Sequence, residues 1–137
     1  MKSQKGITLI ALVITIIVLL ILAGVAIAML TGENGILKKA TNATDATGQA
    51  EANEAVQLAL STILANKNDP TYNGQQNTIT GANLVAIMQQ DNSSATVKST
   101  DVAEGVDKGC INITYKASSN AKEYTVKVDS STGKIKK

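Results

Sequence analysis

The chain has 137 residues, which is room for one small domain and a membrane-length segment but not for two full domains. Its 13 basic residues are all lysines and stand against 11 acidic ones, and such a near-neutral chain without arginine lacks the clustered cations that strong nucleic-acid binding needs. Histidine is absent and Cys110 is the one cysteine, which excludes an internal disulfide, a Ser-His or Cys-His catalytic pair and a cysteine–histidine metal site, so we predict no enzyme, cofactor or metal.

The chain has two parts of very different amino-acid composition. The stretch from Gly6 to Thr31 contains no charged residue, whereas the rest is rich in Asn, Thr, Ser, Ala, Asp and Lys. There is no Phe or Trp and there are 3 Tyr, so a core in the polar part must be built from Ala, Val, Ile and Leu. Such a small core is only marginally stable on its own.

The first predicted element is an apolar helix over Ile7–Leu30. At 1.5 Å per residue it covers roughly 36 Å, which is enough to cross a hydrocarbon layer of about 30 Å with some tilt. Lys2 and Lys5 precede it and favour the cytoplasmic side for that end, so the polar remainder faces outward.

Three fates of this segment are open. Ala26, Ile27 and Ala28 form an A-x-A-like site of a secretory signal peptide, although the apolar run before it is longer than the usual ~7–15 residues. A permanent single-pass anchor is the second fate. The third is a leader that is removed before the apolar run, so that the whole helix stays in the product.

The third fate agrees with a short motif at the start of the helix, made of Lys5, Gly6, Ile7, Thr8, Leu9 and Ile10. It resembles the cleavage motif of type IV prepilins, and the run from Leu30 to Leu37 resembles pilin-like proteins of Gram-positive anaerobes. The resemblance implies a leader over 1–6, cut between Gly6 and Ile7 by a prepilin peptidase, and N-methylation of Ile7.

The resemblance also implies a partner set and a location. The precursor would lie in the cytoplasmic membrane, and an assembly machine would then build it with copies of itself into an extracellular filament. The assembly residues implied are Ile7, Thr8, Leu9, Ile10, Ala11 and Gly24. Such filaments serve adhesion, motility, DNA uptake or secretion, and the sequence favours none of these.

Two of these positions qualify the resemblance. The family usually has glutamate as the fifth residue after the cut, where this chain has Ala11, and members without it are sometimes minor subunits. Gly24 is a candidate for a section that loses helical structure when subunits pack, or for a close contact between helices. The alternatives to a major pilin are therefore a minor pseudopilin of a secretion or competence apparatus and an uncleaved anchored surface-binding module.

Two glycines within Thr31–Gly35 predict a break in the helix, because each costs about 1 kcal/mol relative to alanine. A second, amphipathic helix is predicted from Ile36 to about Asn66. The glycine-containing break and this helix together occupy 32–66. One face of it should pack under a sheet; it carries Ala52, Ala55, Val56, Ala59, Leu60 and Ile63. Pro70 disfavours helical geometry at the residue before it.

The remainder, 67–137, is predicted to be a small globular head, which gives an α+β fold of the pilin type. Thr80 or Asn83 is expected to cap a short helix. Alternating β-branched residues then predict an antiparallel meander, with strands at Thr96–Ser99, Cys110–Tyr115, Tyr124–Asp129 and Lys134–Lys136.

Four sets of candidate residues in the polar part also have an ordinary structural explanation. Asp101, Glu104 and Asp107 form either a calcium loop or an ordinary acidic turn. The sequons at Asn42, Asn92 and Asn112 are either glycan acceptors or chance occurrences in a chain rich in Asn, Ser and Thr. Glu51 and Glu54 are expected to lie on a solvated helix face rather than to form an acid–base pair, and Cys110 to be a buried small side chain.

Overall fold

The computed structural model describes residues 3–71, 77–102, 105 and 108–136. It has an α+β fold, in which long N-terminal helices are followed by a short helix and a small antiparallel sheet. The elements are α1 Ser3–Thr31, α2 Ile36–Asn68, α3 Gly81–Asp91, β1 Thr96–Asp101, β2 Cys110–Lys116, β3 Tyr124–Asp129 and β4 Ile135–Lys136.

The chain divides into two compact units, the first up to Asp45 and the second from Ala46 onward. The sequence placed the head at 67–137, whereas the second unit also contains α2 from Ala46 to its end. This part of α2 belongs there because its apolar side chains, including Val56 and Ile63, form part of the same core as the sheet.

The break between α1 and α2 is a hydrogen-bonded turn. The Gly32 N–H donates to the Ala28 carbonyl at 2.9 Å, and the Gly35 N–H donates to the Gly32 carbonyl at 2.7 Å. A Cβ atom at Gly35 would lie 2.6 Å from the Leu30 carbonyl oxygen, so the turn needs glycine at this position.

The apolar face predicted for α2 is the one that packs in the second unit. Five of the six residues on it are buried and Ala55 is partly buried; the five are Ala52, Val56, Ala59, Leu60 and Ile63. The helix ends at Asn68, two residues beyond the expected end and just before the turn that contains Pro70.

The short helix α3 begins where the sequence indicated. Thr80 is its N-cap, with extended backbone at φ −128° and ψ 155°, and the Thr80 hydroxyl accepts from the Asn83 N–H at 3.2 Å. Asn83 lies inside the helix, and its side-chain amide donates to the Thr78 carbonyl at 2.9 Å. The cap is therefore Thr80 rather than Asn83.

The sheet is a four-stranded antiparallel meander in the order β1-β2-β3-β4. β3 has the predicted bounds, and β2 is one residue longer than predicted. β1 extends two residues beyond the predicted Ser99, because it pairs with β2 along its whole length, up to Asp101 opposite Ile111. β4 has only two residues and pairs with Lys127 and Val128.

One face of the sheet, the inner face, forms the core with α2 and α3. It carries the buried side chains at alternate positions: Val97, Ile111, Ile113, Tyr115, Val126 and Val128. The other face, the outer face, carries mainly Thr and Lys. This alternation of apolar and polar residues is typical of an antiparallel sheet with one solvated side.

Candidate functional site

The candidate functional element is α1, whose apolar side chains have no cover from the chain itself. The large aliphatic residues between Ile7 and Leu30 are all exposed, from 46% at Val13 to 69% at Met29. A contiguous apolar surface of this extent on a soluble monomer would be highly unfavourable, so its stable surroundings are lipid or other protein.

The helix contains polar threonines, and hydrogen bonds within the helix satisfy the hydroxyls of two of them. The Thr15 hydroxyl donates to the Leu12 carbonyl at 2.7 Å, and the Thr31 hydroxyl donates to the Ile27 carbonyl at 2.9 Å. In an apolar environment an unsatisfied hydroxyl costs free energy, and these internal bonds avoid that cost.

By length and composition α1 could cross a membrane, and within the described residues this is the one apolar segment that passes that test. A signal sequence near the N-terminus passes it too. The long apolar N-terminal helix is therefore a segment that could anchor the chain in a membrane.

The predicted processing and assembly residues all lie in α1. Gly6 and Ile7 are consecutive residues in its first part, followed on the same helix by Thr8, Leu9, Ile10 and Ala11. Ile7 is 66% exposed. Gly24 lies in regular helix in the isolated chain, and a Cβ atom there would meet nothing within 4 Å, so this chain supplies no packing reason for glycine.

The break beyond α1 has an apolar and a polar side. The apolar side is a cavity of about 540 Å³, which is lined by residues 32–35 of the turn and by four apolar residues, Val25, Ala28, Met29 and Ile36. On the polar side, the Lys38 ammonium lies 2.7 Å from a Glu33 carboxylate oxygen. Because Glu33 is 91% exposed and Lys38 is 49% exposed, this ion pair contributes little stability.

The candidate sites in the second unit remain separate from one another. Asp101 is the last residue of β1, and Glu104 and Asp107 lie outside the described residues. In the part of the chain that the structure describes, no group of three His, Cys, Asp or Glu side chains is placed to hold a metal. Cys110 is buried, with 1% of its surface exposed, as its position at the start of β2 predicted.

The three sequons differ in accessibility. Asn42 is exposed on α2. Asn92 is half-buried, and its Oδ1 accepts from the Ser94 N–H at 3.2 Å and from the Ser94 hydroxyl at 2.7 Å. Asn112 is half-buried on β2, and its side-chain oxygen is buried without a hydrogen-bond partner. Asn42 is therefore the most accessible acceptor of the three.

Sequence reasoning missed a contact between α2 and the sheet. The Tyr115 hydroxyl donates to a Glu51 carboxylate oxygen at 3.0 Å, although the residues are 64 positions apart. Burial of Tyr115, together with this hydrogen bond, raises the pKa of its phenol. Glu51 thus ties α2 to β2, while Glu54 lies exposed on α2.

The turn between β3 and β4 lies where Ser130–Gly133 predicted one, and the part that Asp129 has in it is the second feature that sequence reasoning missed. One Asp129 carboxylate oxygen accepts from the Ser131 N–H, the Ser131 hydroxyl and the Thr132 N–H at 2.6–3.0 Å. These donors favour the ionised form, so they lower the pKa of Asp129 to about 2. Gly133 follows with a φ of +68°. The signal was available, because Asp followed by Ser, Thr and Gly is typical of such turns.

Most of the exposed large apolar side chains of the described residues lie on α1. Comparison with protein-family models, with curated proteins and with solved structures finds no match to this chain.

Proposed function

We propose that this chain is a structural subunit of a type IV pilus or related surface filament, which assembles through α1. The leader 1–6 is removed after Gly6, and Ile7 becomes the methylated N-terminus. The precursor lies in the cytoplasmic membrane, and the product lies in an extracellular filament.

One observation carries the proposal. A prepilin-like motif at Gly6 and Ile7 lies in the first part of α1, a helix whose large aliphatic side chains are exposed on all its sides. A membrane anchor alone accounts for the exposure. The motif accounts in addition for a cut that would leave the apolar helix on the product.

The physical basis of assembly is an exchange of neighbours. In the membrane the side chains of α1 contact lipid tails, and in a filament they would contact the α1 helices of other copies. Because both surroundings are similarly apolar, transfer need not expose the helix to water. The net preference for the filament then comes from packing and from contacts between the polar units.

A second candidate is a minor pseudopilin, and Ala11 favours it. In the family, a glutamate at this position is thought to neutralise the N-terminal ammonium of a neighbouring subunit within the apolar layer. An unpaired charge in hydrocarbon costs at least about 3 kcal/mol, so that pair would help to select the register of subunits. A chain with Ala11 lacks this partner.

The test combines two measurements on cells that make the full-length chain with a prepilin peptidase and an assembly machine. Mass spectrometry of the mature protein should show methylated Ile7 as the first residue, and electron microscopy of sheared surface material should show fibres that contain the chain. An intact Met1 on a membrane-bound monomer would overturn the proposal and leave the anchored module. Processing without long fibres would support the pseudopilin.

A further inference from the structure

The apolar surface of the first unit continues beyond the break, onto the first turn of α2. Ile36 and Leu37 are 73% and 59% exposed, and neither belongs to the core of the second unit. After Leu37 the chain has no further Val, Ile, Leu or Met until Val56. These two side chains are therefore the outer end of the apolar segment, and the described residues do not cover them.

A second cavity of the break, the Leu37 cavity, brings apolar and polar groups together. Its volume is about 370 Å³. Its lining combines two leucines with four polar residues: Leu30, Leu37, Thr31, Lys38, Thr41 and Asn42. The Thr41 hydroxyl donates to the Leu37 carbonyl at 3.0 Å, so the helix itself satisfies it. The cavity therefore presents an apolar part beside an ammonium and a side-chain amide.

The chain around the Leu37 cavity carries a small excess of positive charge. Between Gly6 and Thr44 the charged residues are Glu33, Lys38 and Lys39, so two lysines stand against one glutamate. The Lys38 ammonium contacts Glu33 at 2.7 Å, in a pair that is exposed to water. An ammonium has three N–H donors, so that of Lys38 can bind a phosphate oxygen while it keeps Glu33.

The length of α1 puts this cavity at the depth of lipid headgroups. The apolar run Ile7–Leu30 covers roughly 36 Å, against about 30 Å for the hydrocarbon layer and about 40–45 Å with both headgroup layers. When the run fills the hydrocarbon, the residues just beyond Leu30 lie in the outer headgroup layer. A lysine at this depth keeps its methylene groups on apolar surface and its ammonium among the headgroups.

We propose that the Leu37 cavity binds a membrane phospholipid, with an acyl chain against Leu30 and Leu37 and the phosphate at the Lys38 ammonium. This contact fixes the depth of the precursor in the outer leaflet. A phospholipid matches the cavity because it combines an apolar chain with an anionic group, whereas the α1 helix of another copy has no charge between Gly6 and Thr31. This inference rests on the proposed function, which places the precursor in the membrane.

The test uses tryptophan as a depth reporter, because the chain has none of its own. The unprocessed full-length chain is placed in phosphatidylcholine vesicles whose acyl chains carry bromine, which quenches tryptophan fluorescence, at a chosen depth. Leu37→Trp should be quenched most by bromine near the glycerol end of the acyl chain, and Leu19→Trp, inside α1, by bromine near its far end. The matched control is Leu58→Trp, since Leu58 is 57% exposed on the same helix but belongs to the second unit, and it should not be quenched.

The phosphate contact is tested with an anionic lipid. Brominated phosphatidylglycerol is diluted into unlabelled phosphatidylcholine, so that the quenching of Leu37→Trp measures how often the anionic lipid occupies the cavity. One net positive charge at the surface should enrich this lipid about fivefold over its share of the bilayer. Lys38→Gln leaves no net charge around the cavity and should abolish the enrichment. Lys67→Gln changes an exposed lysine in the last turn of α2 and should leave the enrichment as it is.

Three outcomes overturn the inference and leave the proposed function intact. In the first, Leu19→Trp is quenched and Leu37→Trp is not. In the second, Leu37→Trp is shielded from water only at a high ratio of protein to lipid, because a second copy then covers the cavity. In the third, Lys38→Gln keeps the full enrichment. If Leu19→Trp is not quenched either, the chain does not lie in the bilayer and the proposed function falls as well.

Discussion

At the scale of single residues, polar side chains define local geometry in the second unit. Tyr115 reaches from the buried inner face of the sheet to Glu51 on α2, so one phenol combines apolar burial with a tertiary hydrogen bond. Gln49 donates from α2 to the Thr125 carbonyl on β3 at 3.3 Å. Gly48 faces the ring of Tyr124 so closely that a Cβ atom would collide with it. Small and polar residues of α2 thus determine how closely it approaches the sheet.

The Asp129 turn predicts a specific dependence of stability on pH. The turn lowers the pKa of Asp129 to about 2 in the folded chain, below the ordinary aspartate value of 3.8, so the ionised form is favoured by folding. The stability that it contributes is fully present above the unfolded pKa and is lost as the pH falls through the folded pKa. Between about pH 4 and pH 2, thermal unfolding should therefore shift to lower temperature.

Asp129→Asn isolates this contribution, because the amide oxygen still accepts from the turn but does not titrate. We expect it to lower the melting temperature at pH 7 and to flatten the acid dependence. Near-ultraviolet circular dichroism of the tyrosines gives the readout, since Tyr115 and Tyr124 lie in the sheet of the second unit. Equal acid dependence in both proteins would contradict the assignment.

At the scale of elements, sequence patterns decide where each helix begins and ends. The glycines after Thr31 end α1, and Thr80 begins α3 through its hydroxyl. The buried residues of α2 recur at three-and-four spacing, and those of β2 and β3 alternate. Where the alternation of buried and exposed residues is weak, the sequence predicts the bounds of an element less well. Strand β1 is the example, because it has one buried valine among exposed residues. Its length is determined by pairing with β2.

Loss of the α3 cap should destabilise the second unit. Thr80→Ala removes the acceptor of the Asn83 N–H and should cost about 1 kcal/mol of unfolding free energy. Thr80→Ser keeps the oxygen and should stay within about 0.5 kcal/mol of the original. Urea unfolding of the full-length chain in detergent, followed by tyrosine fluorescence, measures both. Similar losses in the two variants would argue against the cap.

At the scale of the whole molecule, the two compact units differ in what stabilises them. The first contains an apolar helix that needs lipid or protein around it, and the second has a core of its own. The proposed function assigns the first to assembly through α1 and the second to contacts between the polar units of neighbouring copies.

A charge in the middle of α1 should separate membrane residence from assembly. Val18→Lys adds about 3 kcal/mol to membrane insertion, which the remaining aliphatic residues of α1 can offset. The variant should thus remain in the membrane fraction, while sheared fibres fall by at least tenfold because their apolar core would bury an unpaired ammonium. Val18→Leu is the control. Normal fibre yield from the lysine variant would contradict assembly through α1.

The sequence by itself determined the apolar helix, the break after it, the packing face of α2 and the strands of the meander, because each depends on local periodicity or on glycine. Only the tertiary structure decided that Glu51 meets Tyr115, that Gln49 meets Thr125, and that lysines of all four strands share one face. These features join residues far apart in the chain, and their proximity depends on strand register and helix packing, which no local pattern encodes.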